Sequence, residues 1–342
     1  MWDIIAQIHR LLDAILNFLN LVQKREIGWP TVDRKSGTYR REQQPLWKKI
    51  KLLLLFNPVT EWIDRTRLMR LWTHEESISA GRREGQLKSH RQIKGFVDFY
   101  AIDMCQFEPS NPENYTTFEE FFVRKHAPNA RPIYAANDPS KAVIVADCRV
   151  VVYSTVDETK ALWVKGSEFT IANLIKDEQL AATWKEGAVA SFRLSPQDYH
   201  RYHSPVEGTV KWYKHIPGDY YQVDPVALHS SVNILTENAR SCVCIESECF
   251  GDVLFVAIGA TDVGTVKIHD EIQMSGHHIS KGDEIGIFQF GGSSILLLFQ
   301  TGRIQFDNDL ESLSRQEIMT DVEVGMSLGE ACKASGPVPR KG

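Results

Sequence analysis

Asp147, His200, His203 and Ser293 are the residues of this sequence whose types and surroundings best suit chemistry. Asp147 sits in "VIVADCRVVVY", one carboxylate inside an apolar run. Such a group is costly to bury unless it is paired, which invites a histidine partner. His200 and His203 sit in "RLSPQDYHRYHSPVEGTV", where Ser195, Pro196 and Asp198 follow the pattern of a helix start: a capping hydroxyl, proline in the first turn and an acid three residues on. A short helix there would set the two histidines on one face. They suit structural roles or acid–base work; zinc is disfavoured because a third and fourth ligand at sensible spacing are missing. Ser293 belongs to "FQFGGSSILLLF", where two glycines and two serines interrupt what otherwise reads as a buried strand. The break is either a bulge or hairpin with polar turn residues, or a place where backbone must approach something closely. Asp147, His203 and a serine of this stretch would make an orienting acid, a base and a nucleophile. An α/β-hydrolase arrangement is disfavoured, since its nucleophile lies between strand and helix whereas Ser293 leads into another strand.

These residues need a scaffold, and 342 residues, 43% hydrophobic and 24% charged, are enough for one large folded domain or two ordinary ones. The longest apolar runs, such as 52–56 and 295–299, fall far short of the roughly 20 residues that span a bilayer, so no transmembrane helix is expected. Asp3, Arg10 and Asp13 interrupt the first apolar positions, which argues against a secretory signal. Cys105, Cys148, Cys242, Cys244, Cys249 and Cys332 lack paired CxxC spacing and point to a reducing compartment without a metal. Cys242 and Cys244, two apart in "SCVCIES", are expected to share a strand face and pack as small hydrophobes. Residues 1–70 hold 13 Lys and Arg against 7 Asp and Glu, a local +6 on a chain of net charge −5. That basic end suits an anionic membrane surface better than nucleic acid, because no basic stripe with interleaved aromatics accompanies it.

Ile4, Ile8, Leu11, Ile15, Leu19 and Val22 recur at helical spacing and predict an amphipathic helix, lying on a membrane surface or on the catalytic body. A polar connector over 26–45 follows, then "LWKKIKLLLLF", whose lysines beside an apolar run fit an interface, and a charged linker over 75–95. From about residue 96, runs at 143–153, 188–193, 209–213, 253–259 and 295–299 predict strands with brief helices between them. One helix begins with a capping box, Thr117 with Glu120 or Thr116 with Glu119. The expected fold is α+β, with a β-rich, mainly antiparallel catalytic domain over 96–335 containing barrel-sandwich-like elements, preceded by an α-helical N-terminal region over 1–95. "HHISKGDEIGIF" reads like part of a lipoyl-type module, but no lysine sits at a hairpin tip, so architecture and not function is shared.

Five stretches, in order, resemble the pyruvoyl-dependent phosphatidylserine decarboxylase proenzymes. "FEEFFVRKHAPNARPI" resembles that family's "FF-R-L-P-RPI" segment, "VADCRV" its acid-bearing strand and "DYHRYHSPVEGTV" its histidine motif. "IGATDVGTV" is similar to its "GAT-VGS" strand, and "KGDEIGIFQFGGSS" to its processing site. Together they cover about residues 96–330, and the GGSS form is similar to the extramitochondrial eukaryotic branch. The resemblance implies self-cleavage between Gly292 and Ser293, giving a β chain of 1–292 and an α chain of 293–342 that stay together. Ser293, deprotonated by His203 with Asp147 holding the imidazole, would attack the Gly292 carbonyl. The pyruvoyl group made from Ser293 would take the substrate amine as a Schiff base, with His200 the candidate proton donor to the product. Val145 stands where the family often has proline, Ser294 where threonine is frequent, and Glu207 where Asp or Asn is common.

The implied reaction converts phosphatidylserine, a phospholipid, to phosphatidylethanolamine and CO2, without a metal. The implied location is peripheral, on the cytosolic face of an endomembrane and not mitochondrial; homo-oligomer formation is left open. Two other readings stand beside it: decarboxylation of a free aromatic amino acid, and an unprocessed lipid-binding or regulatory protein that has kept the fold.

Overall fold

The computed structural model describes residues 30–40, 85–162, 170–218, 234–259, 266–289 and 293–332. The N-terminal helix expected over 1–24, "LWKKIKLLLLF", residues 75–84 of the expected linker, "ATDVGT" and the junction at Gly292 lie outside the described residues.

The apolar runs form a β-rich scaffold whose centre is β15 (Ser293–Phe299). Its residues 295–299 are each at most 1% exposed. Both faces are covered, which is why the run is continuously apolar instead of alternating. Each such side chain contributes about 1.5–3 kcal/mol on burial. The strand lies between β11 (Gly251–Ile258) and β7 (Ala188–Leu194) in a ten-stranded sheet. From β11 the sheet runs through β10 (Arg240–Ser247) and β9 (Gly208–Ile216) to β13 (His278–Ile279). From β7 it runs through β6 (Cys148–Tyr153), β17 (Met319–Val322) and β1 (Thr31–Asp33) to β2 (Tyr39–Arg40). Every ladder is antiparallel except β1 with β17. Cys242 and Cys244 are buried free thiols in β10, as their spacing predicts.

Two three-stranded sheets flank it: β12 (Val266–Ile268), β14 (Glu284–Phe288) and β8 (Arg201–His203), and β16 (Ile304–Phe306), β18 (Ser327–Ala331) and β5 (Lys141–Val143). A small pair joins β3 (Phe107–Glu108) to β4 (Lys125–His126). The two interrupted runs of the sequence are therefore transfers between sheets. The chain leaves β5 and enters β6 through residues 144–147, and it leaves β14 and enters β15 across the GGSS stretch.

Residues 31–40, expected to be connector, instead supply two edge strands. Arg34 anchors them, reaching Asp307 at 2.8 Å, Asp309 at 2.7 Å and the Ser327 carbonyl. A three-residue strand has no periodicity to read, and its parallel partner is the distant β17, through residues 319–321.

Before the site come two helices, α1 (Arg91–Tyr100) and α2 (Phe118–Phe122). α1 spans the change of texture at residue 96, and its Ile93 joins Phe107, Tyr115, Phe118, Phe121, Phe122 and Tyr199 in a second apolar cluster. Thr117 caps α2, accepting the Glu120 amide at 3.1 Å, while Glu120 reaches back to the Thr116 amide at 2.6 Å.

Candidate active site

Asp147 lies at the bend between β5 and β6, where the run thought to be one buried strand changes sheets. Arg131 holds its carboxylate with Nε at 3.1 Å and Nη2 at 2.7 Å, and the Val324 amide donates at 2.8 Å. His126 Nε2 lies 3.2 Å from Oδ2, without the in-line geometry of a hydrogen bond. Burial would raise the acid, but His126 and Arg131 outweigh it and hold the carboxyl well below the usual carboxylate range.

His203 closes β8, with its amide on the Val145 carbonyl at 2.8 Å, two residues before Asp147. Its Nδ1 faces the Gly282 carbonyl at 2.8 Å, and its Nε2 faces the Tyr199 hydroxyl at 3.0 Å. Nδ1 against a carbonyl must carry the proton, so Nε2 is the acceptor. Gly282 turns at φ +88°, and a Cβ there would meet Ile133 at 2.7 Å, so this position requires glycine. Burial lowers the His203 pKa below the ordinary 6.5, against the raising effects of the Gly282 bond and Glu284. The imidazole is thus neutral and able to act as a base near neutral pH.

The expected Asp147–His203 hydrogen bond is not made in this structure: both ring nitrogens of His203 are taken by Gly282 and Tyr199. Asp147 acts on His203 only through its charge, which favours the protonated ring.

His200 and His203 do not share a helix face either. The Asp198 carboxylate turns back to the Ser195 amide at 2.7 Å and pairs with Arg149 at 2.6 Å, which makes residues 195–198 a turn. The chain then pairs with β14. His200 is fully buried, with Nδ1 on the Asp198 carbonyl at 2.9 Å and its ring 3.8 Å from that of Phe122.

Ser293 is the first residue of β15, opposite Leu194 in β7. On the other side of the junction, the Phe288 amide bonds the His200 carbonyl at 2.9 Å. Phe288 and Ser293, on either side of the undescribed residues 290–292, are therefore pinned to the two ends of the 194–200 segment, which carries Asp198, Tyr199 and His200.

Sequence reasoning quoted but did not single out Tyr199, His126, Arg131 and Arg124. Phe107, His126, Tyr199 and His203 form a ladder of rings, with centroids 4.9, 3.9 and 5.7 Å apart in turn. Arg124 sits over Phe107 and Phe121, at 4.3 and 4.8 Å, and donates to the Gln197 and Asp198 carbonyls, clamping the turn before Tyr199. The signal for these residues was their place inside the quoted motifs. A polar cavity of about 290 Å³ adjoins the group, lined by Asp33, Arg124, Arg131, Asp147, Asp198 and Tyr199 among others. Arg240 is occupied elsewhere, bonding the carbonyls of Leu174, Asn173 and Asn238. Glu207 is half exposed beside His278. Among the described residues, no group of three or more side chains could hold a metal ion.

The phosphatidylserine decarboxylase family model matches residues 118–330, and the chain belongs to that family. It is 40% identical over 255 residues to phosphatidylserine decarboxylase proenzyme 2 of Oryza sativa subsp. japonica, covering 74% of this chain and 40% of the relative. It is 38% identical over 251 residues to the phosphatidylserine decarboxylase proenzyme of Chlamydia muridarum, covering 73% of this chain and 81% of that one. Against proenzyme 2 of Saccharomyces cerevisiae the identity is 33% over 299 residues, 87% of this chain and 25% of the relative. The chain thus spans two fifths or less of its eukaryotic relatives.

Proposed function

We propose that this chain is a self-processing, pyruvoyl-dependent decarboxylase that converts phosphatidylserine to phosphatidylethanolamine and CO2. The observation that carries the reading is the pinning of Phe288 and Ser293, on either side of the junction, to the 194–200 segment, with a neutral His203 on its Tyr199 hydroxyl. His203 receives the Ser293 hydroxyl proton, the serine oxygen attacks the Gly292 carbonyl, and the peptide bond becomes an ester. Gly282 orients the base, while the Asp147 charge stabilises the imidazolium that forms. Elimination of the ester releases the Gly292 carboxylate, and hydrolysis of the resulting dehydroalanine releases ammonia. The pyruvoyl group so made supplies an electron-withdrawing carbonyl that takes the substrate amine and holds the electrons left by departing CO2. His200 is the proton donor to the product, on the segment adjoining the junction.

The products are chains 1–292 and 293–342. Residues 1–95 associate with an anionic membrane, and the catalytic body over 96–335 works peripherally on the cytosolic face of an endomembrane. The +6 charge of residues 1–70 supports this, and no helix among the described residues is long and apolar enough to cross a membrane.

Intact mass measurement under denaturing conditions, beside Ser293→Ala, tests the reading. Two species splitting after Gly292, the smaller beginning with a pyruvoyl group, and an uncut variant are expected. A single whole species in both samples would defeat self-processing. Release of CO2 from tryptophan and not from phosphatidylserine liposomes would defeat the substrate assignment.

A further inference from the structure

Residues 30–40 form a hairpin that is closed by its own turn: the Asp33 amide bonds the Thr38 carbonyl at 2.9 Å, the Gly37 amide bonds the Asp33 carbonyl at 2.8 Å, and Gly37 turns at φ +67°. The hairpin joins the large sheet in parallel register, with Thr31 beside Met319, Val32 beside Thr320 and Asp33 beside Asp321. The Met319 amide bonds the Pro30 carbonyl and the Arg34 amide bonds the Asp321 carbonyl, both at 3.0 Å. Thr31 and Val32 are buried there. Just past the last pair, Arg34 enters a corner of acceptors. Nε and Nη2 grip the Asp309 carboxylate at 2.7 and 2.9 Å, Nη2 also reaches Asp307 at 2.8 Å, and Nη1 donates to the Ser327 carbonyl. Every guanidinium nitrogen is engaged, and the side chain is only 16% exposed. A planar fork can serve two carboxylates and a carbonyl at once, which the point charge of an ammonium cannot. Without a cation the corner would hold two like charges together.

We propose that residues 307–327 form a docking site for an extended, arginine-bearing peptide, filled in this chain by its own residues 30–40. The edge of β17 reads the peptide backbone by strand addition, and the corner of Asp307, Asp309 and the Ser327 carbonyl is a guanidinium pocket that fixes the register. Lys35 adds a weaker, largely exposed contact to Glu323. Because the hairpin is already closed by its own turn, seating it costs less ordering than seating an open chain. On the self-processing reading above, all of these partners belong to the 293–342 chain, so the seated hairpin ties the start of the long chain to the short one. The docking itself does not need the cut, since every group named lies within residues 30–40 or 307–327.

The test uses the full-length chain with a protease recognition sequence inserted between Gln43 and Gln44, cut after purification and followed by gel filtration through a dilution series. The 1–43 piece should travel with the body at micromolar concentration. Arg34→Ala should weaken its retention about 10-fold or more, and Arg34→Lys should weaken it as well, because the charge remains but the fork is lost. An excess of synthetic peptide of residues 30–40 should release the wild-type piece, and the same peptide carrying Arg34→Ala should not. A wild-type piece that leaves as readily as the Arg34→Ala piece, or one held equally in both, would overturn the proposal; retention of Arg34→Lys as tight as wild type would overturn the guanidinium pocket. If Arg34→Ala fails to fold, the competition on the wild-type cut chain decides: a peptide that does not displace the piece, or an alanine peptide that displaces it equally well, overturns the proposal. Ser293→Ala, run alongside, should give the same docking result. Failure of the self-processing reading looks different, because wild type then shows no break after Gly292 by mass while the docking result is unchanged.

Discussion

Residues 142–153 and 284–299 follow the same plan with different outcomes. Each is a long apolar run interrupted by polar residues, and each interruption is where the chain passes from a small sheet into the ten-stranded one. In the first, the polar residue is Asp147, fixed by Arg131 and the Val324 amide. In the second, Ser293 opens the central strand, and the described hydrogen bonds fasten the neighbouring chain ends. The first break keeps a charge in place, and the second, on the proposed reading, presents a peptide bond to be cut. A strand break thus serves as a mount in one case and, on the proposed reading, as a reactant in the other.

The sharpest way to break this comparison is at the reactant. Ser293→Ala should abolish cleavage altogether, whereas Asp147→Asn, on the mount, should slow it without stopping it; equal loss in both, read by intact mass, would erase the distinction. Next, His203→Gln should slow cleavage by about 100-fold or more, measured on the same assay. The mount should show itself in stability. Arg131→Ala leaves a largely enclosed carboxylate, 15% exposed, short of its main partner and should cost about 3 kcal/mol in urea unfolding; a loss under 1 kcal/mol would mean that His126 and Val324 suffice.

The two breaks should also answer differently to acid. Asp147 has a folded pKa below its unfolded 3.8, so its stabilisation is full above about 3.8 and is lost as pH falls further. His203 has a folded pKa below 6.5, so the base stays neutral, and cleavage should hold its plateau, at pH values where an ordinary histidine is protonated. A cleavage midpoint at or above 6.5 would contradict the burial of this base. The smallest effect belongs to Lys35→Ala, which removes a largely exposed partner of Glu323 and should shift stability by less than about 1 kcal/mol.

The residue letters expose some of these features and hide others. Asp147, His203 and Ser293 are visible because a carboxylate among valines, a histidine pair and a broken strand each violate a local pattern. The acceptor that orients His203 is not visible, because a backbone carbonyl at Gly282 has no letter of its own. Ser195-Pro-x-Asp198 suits a helix start or a tight turn equally well, and the distant Arg149, which has no place in the local pattern, helps hold Asp198 in the turn. Likewise Thr31–Asp33 is too short to show a strand's alternation, and it joins the large sheet through the distant residues 319–321.

That last pairing bears on what a cut would do. Across the sheet, β15 and β17 would belong to the piece beginning at Ser293, while β11, β7, β6 and β1 would belong to the other. Ownership then alternates: each strand of the short piece has a strand of the long piece on both sides. The products would be interwoven like threads in cloth, joined by four ladders of this sheet, and would not simply peel apart. Separation should require denaturant, and dilution alone should leave the two pieces travelling together.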